Sequence, residues 1–226
     1  MSEHDKARRA FLFSAAAGSA AVAGAGLVPA AVAQTHEVHK EAAPPTSAHH
    51  SNAARHGAFL KDSDADTVAA FAERLMPGDV GLPGARDAGV LNYIDLALSG
   101  AYSDLQDFYR RGLAQLDTYC RATYNASFAR LGSKQQDSVI AALEDGKATG
   151  FTWPTAQAFF NTLRVHTMEG MFADPIYGGN RDFAGWRLIG FPGAQPQFTQ
   201  AEMATKEAYS SSPIIGLQAQ APMRRG

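Results

Sequence analysis

The side chains best suited to chemistry in this sequence are one histidine and two carboxylates. His166 is the only one of seven histidines that lies beyond residue 56, and Glu169 and Asp174 follow it. An imidazole titrates near neutral pH, so His166 could act as a general acid or base, or as a ligand. Its helical spacing from Leu163 and Gly170 instead places it on an apolar helix face. We favour a buried core or interface residue, with catalysis by His166 and the nearby carboxylates as the alternative.

A second candidate site is the run Gly178-Gly179-Asn180. Successive backbone N–H groups in such a run can form a nest that binds a small anion. The same residue types also tolerate positive φ angles, which a tight turn requires. We favour the turn and keep a small-anion-binding module as the alternative function.

Sequence motifs for cofactor binding are absent. No Gly-x-Gly-x-x-Gly follows a strand pattern, and the sequence has no P-loop, His-Glu-x-x-His or Gly-x-Ser-x-Gly motif. Cys120 is the only cysteine, which excludes an internal disulfide and a Cys-x-x-Cys-His haem attachment. Its place in an apolar helical stripe predicts a buried, inert thiol. We expect no catalytic, cofactor or metal site on this chain.

Residues 1–33 have the composition of an export signal. Arg8 and Arg9, followed by Ala-Phe-Leu, resemble the twin-arginine signature, and an Ala- and Gly-rich stretch follows. Residues 31–33 read Ala-Val-Ala, a typical cleavage site, so we expect the mature chain to begin at Gln34 in the periplasm. An uncleaved membrane anchor is the alternative, because the stretch is long enough to span a bilayer.

Residues 34–58 are predicted to form a disordered linker, because large apolar residues are almost absent there. A polar tether is favoured over a metal-binding tract, since no cysteine accompanies its histidines and their spacings do not repeat. Residues 1–33 carry a net charge of +1, so their removal takes the chain from −2 to about −3. That charge argues against nucleic acid as a partner. The five linker histidines are His36, His39, His49, His50 and His56.

Residues 59–200 are predicted to form one all-α domain, a compact bundle of about five helices. The segments beginning near Asp64, Arg86, Ser103, Ser133 and Pro154 each repeat apolar residues at three- and four-residue steps. No alternating pattern is long enough for a sheet. Gly112 within the third apolar stripe predicts the close approach of a neighbouring helix.

Local signals predict where these helices begin and end. Asp62, Ser63 or Asp64 can cap the first helix, and Ser133 can cap the fourth. We expect Pro154 in the first turn of the fifth helix and Pro175 at its end.

The segment Asp174–Gly193 has a composition unlike that of the helices. Five glycines and two prolines alternate there with aromatic and charged residues, which predicts a rigid, irregular surface. Within it, Trp186–Ile189 could at most pair locally as a strand. Residues 201–226 are predicted to be a tail that is disordered or runs over a partner.

The run from Gly170 to Gly193 is similar to the closing motif of the gluconate 2-dehydrogenase subunit 3 family, the small (gamma) subunit of a membrane-bound dehydrogenase. Weaker similarity lies at Leu75–Asp79, Pro83–Val90 and Tyr93–Asp95. The matching motif residues are candidates for structural or partner-contacting roles, and no catalytic residue carries over. They are Asp174, Pro175, Tyr177, Gly178, Gly179, Asn180, Arg181, Trp186, Gly190, Pro192 and Gly193.

This resemblance implies a non-catalytic subunit of a periplasmic, inner-membrane-associated dehydrogenase for gluconate or a related sugar or polyol. It implies an FAD-containing large subunit and a multihaem cytochrome c subunit as partners, with FAD and haem c held by those partners. It also implies an escort role, in which this chain carries the flavoprotein through the twin-arginine translocase. A stand-alone periplasmic enzyme, or the anion-binding module, is the alternative.

Overall fold

The computed structural model describes residues 57–195, 197–205, 209 and 213–219. The predicted signal peptide with its arginine pair, and the histidine-rich part of the predicted linker, lie outside the described residues. The described residues form helices and connecting turns, with two isolated β-bridges and no β-strand among them. The predicted all-α class is confirmed.

Seven α-helices occur in the described part of the chain, five of them longer than two turns. Short 3₁₀ turns connect several of them. The helices are α1 (Asp62–Leu75), α2 (Val90–Ser99), α3 (Gln106–Tyr124), α4 (Ser133–Glu144), α5 (Ala156–Phe172), α6 (Ala184–Ile189) and α7 (Gln200–Ala204).

Helix α5 is the centre of the bundle, because it packs against each of α1 to α4. Its apolar face buries Phe159, Leu163 and Met171 almost completely. A Cβ added at Gly112 of α3 would clash with the Phe159 ring, so this glycine lets α3 approach α5 closely, as predicted. The bundle core therefore forms around the helix that leads directly into Asp174–Gly193.

The predicted caps of α1 and α4 are wrong by one residue or more. Lys61 is the N-cap of α1, and Asp62 is already its first helical residue. Gly132, not Ser133, is the N-cap of α4, and the Gln135 side chain accepts a hydrogen bond from the Gly132 N–H at 3.2 Å. A side chain that reaches back from the third helical position satisfies the helix start without a capping hydroxyl.

The start of α5 also differs from the prediction. Pro154 precedes the helix instead of lying in its first turn, because Thr155 is the N-cap. The Thr155 hydroxyl accepts a hydrogen bond from the Ala158 N–H at 3.2 Å. A threonine that satisfies a free helical N–H is a stronger start signal than a proline.

Residues Trp186–Ile189 are helical, so the suggestion that they pair as a strand is wrong. They form most of α6, which is closed by Gly190 in a left-handed conformation. The Asn180 side chain accepts a hydrogen bond from the Gly185 N–H at 2.8 Å, which satisfies a donor in the first turn. A cap supplied from five residues upstream is not visible as a local periodicity.

A buried carboxylate holds the chain in place just before α1. Asp95 of α2 is 2% exposed, and its two oxygens accept hydrogen bonds from the backbone N–H groups of Ala58, Phe59 and Leu60 at 2.7–2.9 Å. Three hydrogen bonds compensate the cost of burying this carboxylate. The chain is thereby fixed to α2 just before α1 begins.

Cys120 is fully buried in α3, as predicted. Burial raises the pKa of its thiol to about 12, so the reactive thiolate is scarce at neutral pH. Among the helices of the described residues, none is both long enough and apolar enough to cross a membrane.

Candidate functional site

The Asp174–Gly193 segment leaves α5 through a 3₁₀ turn fixed by Asp174. The Asp174 Oδ1 atom accepts a hydrogen bond from the Ile176 N–H at 3.0 Å, and Pro175 occupies the first position of the turn. The Oδ2 atom accepts a second bond from the Leu217 N–H at 2.8 Å. Asp174 therefore fastens the end of α5 to the C-terminal part of the chain.

Asn180 is the central residue of the segment and is 0% exposed. Its backbone N–H donates to the Gly170 carbonyl at 2.7 Å, and its side-chain Nδ2 donates to the Ala173 carbonyl at 2.8 Å. Its Oδ1 accepts from Gly185. The backbone is left-handed, with φ of 42°, a conformation that asparagine tolerates better than most residues. One side chain thus joins the end of α5 to the start of α6.

The Gly178-Gly179-Asn180 run forms a turn in which the Gly178 and Asn180 amides donate to carbonyls of the protein. The Gly178 N–H donates to the Pro175 carbonyl, the Asn180 N–H donates to Gly170, and the next amide, of Arg181, donates to the Ala88 carbonyl at 2.9 Å. Gly178 is left-handed, with φ of 94°. These bonds support the predicted turn, because amides that already donate to carbonyls do not form an anion nest.

Gly179 is needed for a different reason. Its φ is not positive, but a Cβ at this position would clash with the Gly170 carbonyl of α5. The absence of a side chain lets the turn lie directly on the helix.

Trp186 anchors the second half of the segment. It is 5% exposed, and its Nε1–H donates to the Phe172 carbonyl at the end of α5 at 2.6 Å. Its ring stacks on Phe183 at 5.3 Å between centroids and meets Phe191 edge-on at 4.8 Å. The indole therefore serves the core more than an interface.

The end of the segment meets the C-terminal part of the chain. Gly193 has φ of 99° and forms a parallel bridge with Ile215, while the half-buried Pro192 precedes it. The Ala194 N–H donates to the Ile215 carbonyl at 2.9 Å. The tail residues around Ile215 thus pack on the segment.

Two polar motif side chains, Tyr177 and Arg181, reach solvent. Tyr177 is 57% exposed, next to Ile176 at 41%. Arg181 is half-buried, and its guanidinium lies against the backbone of Gly89 at the start of α2. Among the motif side chains, these two are best placed to meet another molecule.

His166 of α5 lies in an aromatic stack. Its Nδ1 atom is 2.7 Å from the hydroxyl of the buried Tyr109, and its ring stacks on Tyr102 at 4.7 Å and on Tyr109 at 5.7 Å. Burial lowers the pKa of His166 below its usual range, although the nearby Glu169 carboxylate opposes that shift. His166 is 5% exposed, which matches the predicted core residue and fits poorly with general acid–base catalysis.

Glu169 lies next to this stack and contacts two tyrosine hydroxyls. The sequence did not predict these contacts. The Tyr93 hydroxyl donates to its Oε2 at 3.0 Å, and the Tyr102 hydroxyl lies 3.3 Å from both of its oxygens. Burial raises the pKa of Tyr93 and of Tyr102, and Glu169 adds to both shifts. The two phenols therefore remain protonated donors to a half-buried carboxylate.

Two exposed aliphatic side chains lie one helical turn from Tyr93 and from Glu169. Leu96 follows Tyr93 by three residues on α2, Val165 precedes Glu169 by four residues on α5, and each is 46% exposed. Residues three or four apart lie on the same side of a helix. We call Tyr93, Leu96, Tyr102, Val165 and Glu169 the Glu169 surface.

The sequence model of one protein family, described as gluconate 2-dehydrogenase subunit 3, matches residues 62–193. The chain belongs to this family. Searches of curated proteins and of solved structures found no match. The match begins at the first residue of α1 and ends at Gly193, the last residue of the motif segment.

The extent of the match shows which parts this subunit 3 chain has in common with its family. It contains α1 to α6, the motif segment and the Glu169 surface. The residues that Asp95 binds, and the tail residues around Ile215, lie outside it. Both structural tethers thus join a carboxylate inside the matched region to backbone outside it.

The subunit 3 chain also has an open groove of about 860 Å³ between α1, α3 and the 3₁₀ turn Phe128–Arg130. Side chains of both charges line it, including Lys61, Arg110 and Asp117. It shares no lining residue with the motif segment or the Glu169 surface. No group of three or more histidine, cysteine or acidic side chains suited to a metal ion occurs within residues that the structure describes.

Proposed function

We propose that this chain is the non-catalytic small subunit of a periplasmic, FAD-dependent, cytochrome c-linked dehydrogenase for gluconate or a related sugar or polyol. The observation that carries the proposal is the match to the gluconate 2-dehydrogenase subunit 3 family over residues 62–193, which spans α1 to α6. FAD and haem c are assigned to the partner subunits.

The proposed role is to escort and stabilise the flavoprotein. Arg8 and Arg9 resemble a twin-arginine signal, and that route exports folded proteins, as a flavoprotein that binds its cofactor before export requires. The contacts of the motif segment support this role. Asn180 and Trp186 make it rigid, so it presents Tyr177 in a fixed position at low entropic cost on binding.

Coexpression tests the proposal. The large subunit is produced in cells with this chain, without it, or with the variant in which Arg8 and Arg9 are both replaced by lysine. We expect periplasmic, flavin-loaded, active large subunit only with the unchanged chain. Full export, flavin content and activity of the large subunit in cells that lack this chain would refute the escort role.

A further inference from the structure

No ion pair to the Glu169 carboxylate occurs among the residues that the structure describes. Its hydrogen-bond partners are the hydroxyls of Tyr93 and Tyr102, both neutral groups. The ion pairs recorded among the described residues lie elsewhere, between α1 and α4, along α3 and just after α4. A half-buried carboxylate with neutral partners retains most of its attraction for an incoming cation.

The surroundings of Glu169 favour an ion pair with another protein. Val165 lies one turn before Glu169 on α5, and Leu96 lies one turn after Tyr93 on α2; both expose aliphatic surface. A partner that covers this side of the two helices would remove water from the carboxylate. Exclusion of water lowers the local dielectric and strengthens a charge-assisted hydrogen bond.

The carboxylate is also held in place before any partner arrives. Tyr102 stacks on His166, and His166 is hydrogen-bonded to the buried Tyr109. Tyr93 lies against Gly170 of α5, where a Cβ on the glycine would come within 3.2 Å of its side chain. Both donors to Glu169 are thus fixed by the core, which reduces the entropy lost on binding.

We propose that the Glu169 surface is a docking site for the FAD-containing large subunit, which places an arginine or lysine side chain on the Glu169 carboxylate. This inference rests on the proposed function. To that function it adds the surface that binds the large subunit, which lies outside most of the family motif. It also adds the kind of side chain that the large subunit must present.

Charge decides between this occupant and a second copy of the chain. A twofold symmetric dimer formed through the Glu169 surface brings two copies of that surface together. Each copy would then place a carboxylate near another carboxylate, and like charges at an interface are unfavourable. A partner with a basic side chain avoids that repulsion.

Binding measurements on purified proteins test the inference. The unchanged chain and Glu169→Gln are titrated against the flavin-loaded large subunit at low and at high salt. The amide keeps the shape of the side chain and an oxygen that accepts from the tyrosines. The variant should therefore fold, and an unchanged melting temperature would confirm it. We expect Glu169→Gln to weaken binding at least about tenfold at low salt.

Two further variants make the result specific. Glu144→Gln changes an exposed glutamate of α4 in the same way and should leave the Kd within about twofold. Tyr93→Phe removes the shorter donor to Glu169 and should weaken binding less than Glu169→Gln.

The outcomes separate the two proposals. Failure of the unchanged chain to bind the large subunit would overturn the proposed function. Tight binding of the unchanged chain and equally tight binding of Glu169→Gln would overturn only the docking site. Self-association of the unchanged chain that Glu169→Gln abolishes, measured by light scattering, would also overturn it in favour of a second copy.

Discussion

The Asp174–Gly193 segment and the Glu169 surface adjoin the same helix, α5, but they are built in different ways. Asn180 and Trp186 bury polar groups that bond to backbone atoms at the end of α5. Glu169 instead holds its charge at the surface through two tyrosine hydroxyls. The family motif thus mainly builds structure, and the charge suited to recognition lies just before it.

This difference changes what a motif residue implies. Eleven residues match the family pattern, yet the side chains that the structure buries among them, Asp174, Asn180 and Trp186, bond to backbone groups of this chain. Their loss removes internal hydrogen bonds, whereas Glu169→Gln keeps an oxygen that accepts from the tyrosines and removes mainly the charge. Stability and assembly should therefore respond to different substitutions.

The largest loss of stability is expected for Asn180→Ala. The change leaves the Ala173 carbonyl and the Gly185 N–H without this partner and puts alanine at a positive φ. We expect the free energy of unfolding to fall by about 4 kcal/mol. Urea denaturation of the purified domain measures it.

Asn125→Ala is the matched control for that prediction. Asn125 is also left-handed, with φ of 55°, but it is exposed at the C-terminal cap of α3. Asn125→Ala should lower the free energy of unfolding by only about 1 kcal/mol, mainly because alanine disfavours the left-handed backbone. Equal losses for the two variants would show that the Asn180 side chain contributes no more than its backbone geometry.

A smaller loss is expected for Trp186→Phe. Phenylalanine can keep the ring contacts with Phe183 and Phe191, but it cannot donate to the Phe172 carbonyl. We expect a loss of about 2 kcal/mol in the free energy of unfolding. Trp153→Phe, at a residue that is 53% exposed, should change it by less than about 0.5 kcal/mol.

The sequence could predict the bundle because apolar spacing is a local signal. Phe159, Leu163 and His166 recur at helical intervals, and each is buried on α5. The Glu169 surface could not be predicted in this way. Glu169 meets Tyr93 and Tyr102 across 76 and 67 residues, so the contacts depend on how α5 packs against α2 and the turn after it.

The helix boundaries show a second limit of local signals. Three possible capping side chains follow one another at the start of α1, yet the backbone places Lys61 at the cap. Likewise, α6 depends on the Asn180 side chain, whose position is set by its bonds to α5. Such long-range constraints override local propensity at the ends of elements.

A smaller, pH-dependent effect on the free energy of unfolding is expected from His166. Its pKa is lowered in the folded protein, so the unfolded chain binds the proton more readily. The stability from neutral His166 is complete above the unfolded pKa of about 6.5 and declines as pH falls toward the folded pKa. Urea denaturation is measured from about pH 7.5 down to about pH 5, a range that includes this pKa. The urea midpoint should fall more for the unchanged chain than for His166→Gln. Parallel curves would contradict a histidine that is buried in its neutral form.

The smallest effect on stability is expected for Tyr177→Ala, although Tyr177 belongs to the family motif. Its side chain is 57% exposed, so the free energy of unfolding should change by less than about 0.5 kcal/mol. Copurification with the large subunit should nevertheless decrease, because exposed tyrosines often contribute strongly to interfaces. A large loss of stability would instead place Tyr177 with Asn180 and Trp186 as a structural residue. Unchanged stability with unchanged copurification would exclude Tyr177 from the interface with the large subunit.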